Sequence, residues 1–162
     1  MNHLLAVDMG LRTGLALYGR DGRLIWYRSQ NFGSAPRLRR AVPGILRDIP
    51  ALTCLVVEGS GPLAEIWKKE AQRFGIRTLQ LGAEAWRKVF LLPREQRTGA
   101  EAKRHADEAA RQVIAWSGAP RPTSLRHDAA EAVLVGLWGV LKLGWLEEPP
   151  DALRSGRGQI NL

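Results

Sequence analysis

Apolar residues along this chain follow two rhythms. "HLLAVDMG" and "TCLVVEGS" carry short continuous apolar runs that close on Asp8 and Glu58. Runs of that length without a polar side suit strands buried on both faces of a sheet. "RTGLALYG" alternates instead, and "RLIWYRSQNF" reads as a further strand; Asp21-Gly22 between them is a strong hairpin-turn signal. The chain is therefore expected to open with three antiparallel strands.

Helical spacing governs much of the remainder. "APRLRRAVPGILRDI" is a basic helical stretch, with an interruption expected at Pro43-Gly44. "GPLAEIWKKEAQRFG" is amphipathic, with Pro62 near its start and Gly75 past its end. "IRTLQLG" reads as a fifth strand, "AEAWRKVF" as a short helix, "LLPREQRTG" as a basic loop and "AEAKRHADEAARQVIAW" as a polar-faced helix. The loop "SGAPRPTSLRH" leads into an apolar helix over 129–146, where Trp138, like Trp116 before it, is expected in the core. The order β-β-β-α-β-α-β-α-α-α shows no internal repeat and no second core. It predicts one α/β domain over 1–146, with 147–162 as a flexible tail that lacks apolar periodicity.

Composition sharpens this picture. A length of 162 residues suits a single domain with a proper core. The chain carries 24 Lys and Arg against 16 Asp and Glu, a net charge of +8, and 19 of the 24 are Arg. Arg forks onto phosphate more readily than Lys, so the excess points to nucleic acid as partner. A single cysteine, Cys54, excludes an internal disulfide and a zinc cluster and fits a reducing interior. "MNHLLAVDMG" is too short and too acidic for a signal peptide, and the last helix carries Lys142 and follows two acids. A cytoplasmic protein without a membrane partner is expected.

Most acids sit on helix faces beside basic residues, as in "EIWKKE" and "ADEAAR", and read as solvated surface. Four do not. Asp8 and Glu58 each close an apolar strand; Asp128 and Glu131 open an apolar helix. A carboxylate at the end of a buried strand costs free energy unless it is paired, solvated or bound to a cation. Strand ends are also where α/β folds place their sites. Asp128 and Glu131, three residues apart, resemble a capping box, but they also share a face of one helical turn. If that turn covers the edge where Asp8 and Glu58 meet, four carboxylates converge. Oxygen ligands alone favour Mg²⁺ or Mn²⁺, and two such ions ~4 Å apart are the arrangement that hydrolyses phosphodiesters.

Taken together, these stretches resemble RuvC-type Holliday junction resolvases of the RNase H-like nuclease superfamily. "LLAVDMGLRTGLAL" is similar to the family's first strand and its catalytic Asp, and "CLVVEGS" to the strand bearing its catalytic Glu. "HDAAEAVLVG" is similar to its acid pair ahead of an apolar helix, and "TGAEAKRHA" to the stretch supplying a basic residue. The resemblance covers about residues 3–142. It implies an RNase H-like fold: a mixed five-stranded sheet, three antiparallel strands then parallel ones, flanked by helices. It implies Asp8, Glu58, Asp128 and Glu131 as catalytic ligands of two Mg²⁺ or Mn²⁺ ions, with Lys103 at the scissile phosphate. A homodimer is implied, matching the two-fold symmetry of a four-way junction, with Ile66 and Trp67 as interface contacts. Arg12, Lys68, Lys69, Arg73, Arg94, Arg97, Lys103 and Arg104 are the expected DNA-phosphate contacts. The setting implied is the cytoplasm of a bacterium or of a virus-infected bacterium.

The sequence departs from the family pattern in two places. Glu131 stands where the family often has Asp, and Gly59, Ser60, Gly61 and Pro62 follow the catalytic Glu where the bacterial enzyme has an aromatic wedge. His127, beside the acid pair, reads as a loop residue near the site. Three other readings compete with a resolvase. "DMGLRTG" also resembles the phosphate loop of sugar-kinase and actin-like ATPases, but 162 residues leave no room for their second domain. A branched-nucleic-acid binding module would not keep four acids. A ribonuclease acting on structured RNA is the serious rival.

Overall fold

The computed structural model describes residues 2–154. Five strands form one sheet: β1 (His3–Asp8), β2 (Arg12–Gly19), β3 (Leu24–Asn31), β4 (Leu52–Glu58) and β5 (Arg77–Leu81). Their order across the sheet is β3-β2-β1-β4-β5. β1 pairs antiparallel with β2, and β2 with β3; β1 pairs parallel with β4, and β4 with β5. The three-antiparallel-then-parallel expectation is met, and β1 and β4 do lie side by side.

Side-chain alternation divides the core into two layers. Leu4, Ala6, Ala16, Tyr18, Cys54 and Val56 face α3 (Ala83–Phe90), α4 (Gly99–Ser117) and α5 (His127–Lys142). Leu5, Val7, Leu15, Leu17, Leu55 and Val57 face α1 (Ala35–Asp48) and α2 (Pro62–Arg73). Helices on both faces explain why the central strands read as unbroken apolar runs.

The interruption expected at Pro43-Gly44 is absent, because α1 runs through Pro43. Leu38, Val42 and Leu46 form its buried stripe. Burying three aliphatic side chains contributes ~1.5–3 kcal/mol each, more than the ~3 kcal/mol a mid-helix proline costs.

Helix α5 lies directly on the sheet, and glycine lets it do so. A Cβ on Gly14 would collide with the Asp128 carbonyl, and one on Gly136 with the Tyr18 ring. The Tyr18 hydroxyl in turn donates to the Val133 carbonyl at 2.5 Å. The N-terminal turn of α5 is therefore pressed onto β2 at the sheet end where Asp8 sits. In the stretch expected as a tail, α6 (Asp151–Arg154) forms a single turn and Leu153 is fully buried against the α5-side core. The rest of that stretch, 155–162, lies outside the described residues. Among the described residues no helix is long and apolar enough to cross a membrane.

Candidate active site

Parallel pairing puts Asp8 opposite Glu58 at the C-terminal ends of β1 and β4. Both side chains face the α5 layer, continuing the alternation of Ala6 and Val56. Glu131, one turn into α5 and only 8 % exposed, descends onto them. One carboxylate oxygen from each of the three lies within 4.8 Å of the other two. Like charges at that spacing repel by about 3–4 kcal/mol per pair at an effective dielectric of roughly 20.

The titration of the acids reflects this crowding. Burial, followed by the Glu58 and Glu131 carboxylates, pushes Asp8 up to about 10. Glu58 is pushed up to about 6, by burial first and by Glu131 next. The Trp86 indole lies close enough to Glu58 to favour its charged form. Even so, the Glu58 Oε2 and Trp86 Nε1 atoms are both buried without a hydrogen bond of normal geometry. A cluster of this kind takes up a proton or a cation. Oxygen donors alone, one with a buried oxygen lacking any donor, fit a hard divalent cation such as Mg²⁺ or Mn²⁺.

Two basic groups frame the acids. The His127 Nε2 atom lies 2.9 Å from Glu131 Oε1, and an Arg87 guanidinium nitrogen lies 3.7 Å from the same oxygen. His127 is the first residue of α5 rather than a loop residue. Arg87 stacks over Trp86 at 5.4 Å, and its Nε is buried without a partner. Sequence reasoning missed Arg87. Its signal was position: α3 starts right after β5, at the sheet end that carries the acids.

Of the four acids expected together, three meet. Asp128 stands outside the cluster. Its Oδ2 accepts the Ser29 hydroxyl of β3 at 2.9 Å, and its Oδ1 accepts the Ala129 N–H at 2.8 Å. Nor is Asp128 an N-cap: that position belongs to Arg126, and Asp128 is the second helical residue. The capping-box geometry is therefore corrected.

The expected basic contacts scatter around the surface. Arg12 is exposed at the start of β2, beside the acid end of the sheet. The Lys68 ammonium donates to Glu65 and to Gln80, and Gln80 donates to the Gly59 carbonyl next to Glu58. Arg73 pairs with Glu70, and Arg104 hydrogen-bonds His105. Lys69, Arg94 and Arg97 are exposed. Lys103 is exposed on the first turns of α4 and makes no ion pair with the acids. Ile66 and Trp67, expected at a dimer interface, are corrected: they are 8 % and 0 % exposed, packed with Ala64 and Ala71 against the sheet. Trp116 and Trp138 are half-buried rather than fully in the core, and Arg23 covers the Trp116 ring at 4.4 Å.

No family model and no curated protein matches the chain. Among solved structures, it is similar to the yeast mitochondrial Holliday junction resolvase Ydc2, with a TM-score of 0.56 at 10 % identity, covering 95 % of this chain and 86 % of that one. The catalytic core domain of BIV integrase aligns with a TM-score of 0.35 at 10 % identity over 82 % of this chain and 79 % of that one, too distant to carry an argument. The sheet order, the flanking helices and the first of these likenesses together give the chain an RNase H-like fold.

Proposed function

We propose that this chain is a structure-selective endonuclease that resolves four-way DNA junctions by paired symmetric nicks, through metal-dependent hydrolysis of the phosphodiester. One observation carries the reading: Asp8, Glu58 and Glu131 converge within 4.8 Å at the sheet end of an RNase H-like fold. The likeness to a Holliday junction resolvase over 95 % of the chain supports junction DNA as the substrate.

In this proposal Asp8, Glu58 and Glu131 hold two Mg²⁺ or Mn²⁺ ions. Asp128 joins as a fourth ligand when its side chain turns away from Ser29. Such ions, when bound, polarise the scissile phosphate and make water a competent nucleophile near neutral pH. The protein's own groups prepare the place. His127 and Arg87 hold the Glu131 carboxylate from two sides. Buried Trp86 closes one wall beside Glu58. Arg12 and Lys68 line the same sheet end, and Lys69 and Arg73 on α2, with Arg94, Arg97, Lys103 and Arg104 before and in α4, are assigned as further phosphate contacts on either side of the sheet. Lys103 is assigned to the phosphate next to the cut. Two copies related by a two-fold axis match a two-fold junction.

The test is cleavage of a labelled synthetic four-way DNA junction with Mg²⁺ or Mn²⁺, beside linear duplex and structured RNA, for wild type and Asp8→Asn. The expected result is paired symmetric nicks in the junction alone, absent in the variant. Cutting of RNA only would move the activity to a ribonuclease, and binding without cutting would make this a recognition module. Junction affinity is also expected to fall steeply with salt, since phosphate contacts release counterions; a flat response would remove phosphate-led binding.

A further inference from the structure

The pairing register draws a straight line across the sheet. Ser29 pairs with Gly14, Gly14 with Asp8, and Asp8 with Glu58. Ser29 and Tyr27 face the α5 layer, as Asp8 and Glu58 do. At ~4.8 Å per strand, Ser29 stands about 10 Å from Asp8 on the same face of the sheet. Beside Ser29 the surface opens into a hollow of about 340 Å³ between β3 and the loop 120–126 that leads into α5.

This hollow has a distinct chemistry. Arg121 and Arg126 line its rim, both exposed, while Arg28 points to the other face of β3 and stacks on Trp26 at 4.8 Å; no acidic side chain lines the hollow. Its walls include Tyr27, Pro120, Pro122 and Leu125, which offer flat apolar surface. The Tyr27 hydroxyl donates to the Pro120 carbonyl and so fixes the far wall to the sheet. The neighbouring Asp128 carboxylate is already occupied by Ser29. An anion with a flat apolar portion fits such a place: Arg forks bind the phosphate and a ring stacks on the walls.

We infer that the hollow between β3 and the 120–126 loop is a subsite for one nucleotide of the substrate strand, a few positions from the phosphate held at the acids. The inference rests on the nuclease reading for its substrate. A separation of about 10 Å is about three stacked nucleotides at ~3.4 Å each, and fewer if the strand is unstacked. Base selectivity in cutting would then arise on β3, on residues outside the acid cluster.

Two measurements decide it. The first is NMR titration of the metal-free protein with a 5′-phosphorylated deoxytrinucleotide. Amide shifts clustered at Tyr27, Ser29, Arg121 and Leu125 are expected, and Arg121→Glu, an exposed charge reversal, is expected to abolish them. The second is an abasic scan across the three positions on either side of each nick in a four-way junction. One position is expected to lose about tenfold in binding, the scale of a single stacked base, and Arg121→Glu is expected to lose that position's sensitivity. Shifts at the hollow together with a sensitive position support the subsite. A junction that is cut while the hollow shows no shifts and the scan is flat overturns the subsite and leaves the nuclease standing. Shifts at the hollow with no cutting of DNA or RNA overturn the nuclease and leave a nucleotide site. Neither shifts nor cutting overturns both.

Discussion

Glu95 and Glu131 are buried alike, 9 % and 8 % exposed, on the same side of the sheet. Their surroundings differ in sign. Glu95 sits in the 3-10 turn Pro93–Gln96, where it accepts the Leu92 N–H at 2.8 Å and lies 3.0 Å from His105 Nδ1. Those neighbours are donors, so its charge is satisfied locally and holds a turn in shape. Glu131 also has two basic neighbours, but its carboxylate points at two more acids. Burial of a carboxylate therefore marks nothing by itself; convergence of like charges does, because folding gains nothing from it without a further ligand.

The sharpest break between the two comes from neutralising each. Asp8→Asn or Glu131→Gln is expected to lower junction cleavage on the order of a thousandfold or more, the loss of several kcal/mol of transition-state stabilisation. Metal-free Asp8→Asn is expected to melt higher than wild type near neutral pH, because Asp8, ionised when unfolded, must take up a proton to be buried in the cluster and the amide need not. Glu95→Ala should do the reverse: a loss of about 1–3 kcal/mol of stability for an orphaned Leu92 N–H and His105, with the rate per folded molecule held within about twofold. Cleavage rates and thermal melts on the same samples check both. If Glu95→Ala abolished cutting while folded, the contrast would fail.

Arg87 gives the next largest effect. Its guanidinium lies 3.7 Å from the Glu131 carboxylate, so it is assigned as a positioning residue acting through Glu131. Groups that orient a ligand are worth about 10–100-fold in activity. Arg87→Ala is expected to fall in that range, with Arg87→Lys recovering part of it, and the variant should need more Mn²⁺ for half-maximal cleavage. An unchanged metal requirement would detach Arg87 from the acids.

Stability against pH sharpens the comparison further. Asp8 and Glu58 bind protons more tightly folded than unfolded, from ordinary values of 3.8 and 4.5 up to about 10 and about 6. Their contribution is thus fully present below about pH 4 and is lost as pH rises through about 6 for Glu58 and onward for Asp8. In chelator, the melting temperature of wild type is expected to fall relative to Asp8→Asn between pH 5 and pH 8, and Mn²⁺ should remove the difference by occupying the acids. Parallel curves for the two proteins in chelator would show that the cluster carries no such strain.

The strand-end acids were legible in the sequence because an unbroken apolar run that closes on a carboxylate has few structural uses. The parallel pairing of β1 and β4 then had only to place Asp8 and Glu58 side by side. Glu131 and Asp128 could not be separated from each other that way. Residues three apart on a helix diverge by ~60°, and what captures Asp128 is Ser29, on a strand about a hundred residues earlier. Arg87 was hidden for a related reason: next to Lys88, it reads as solvated surface until β5 is seen to deliver α3 to the acids. Trp67 was misplaced because an amphipathic pattern shows that a helix has a buried side without showing which neighbour covers it. Pro43 misled because a local breaker was weighed without the Leu38, Val42 and Leu46 stripe that holds the helix to the sheet.

The smallest expected effect concerns the hold of Ser29 on Asp128. Ser29→Ala removes a single hydrogen bond to a charged group, worth about 1.5–3 kcal/mol at most and less here because both partners are partly exposed. If the Ser29-bound position is where Asp128 rests, freeing it leaves cleavage within about threefold of wild type or raises it, while Asp128→Asn, which can still accept the Ser29 hydroxyl, cuts much more slowly. A Ser29→Ala variant that lost tenfold or more in cleavage, with Asp128→Asn near wild type, would reverse the assignment. Asp128 would then work from its seat on β3, holding the first turn of α5 over Gly14, and the ions would rest on Asp8, Glu58 and Glu131 alone.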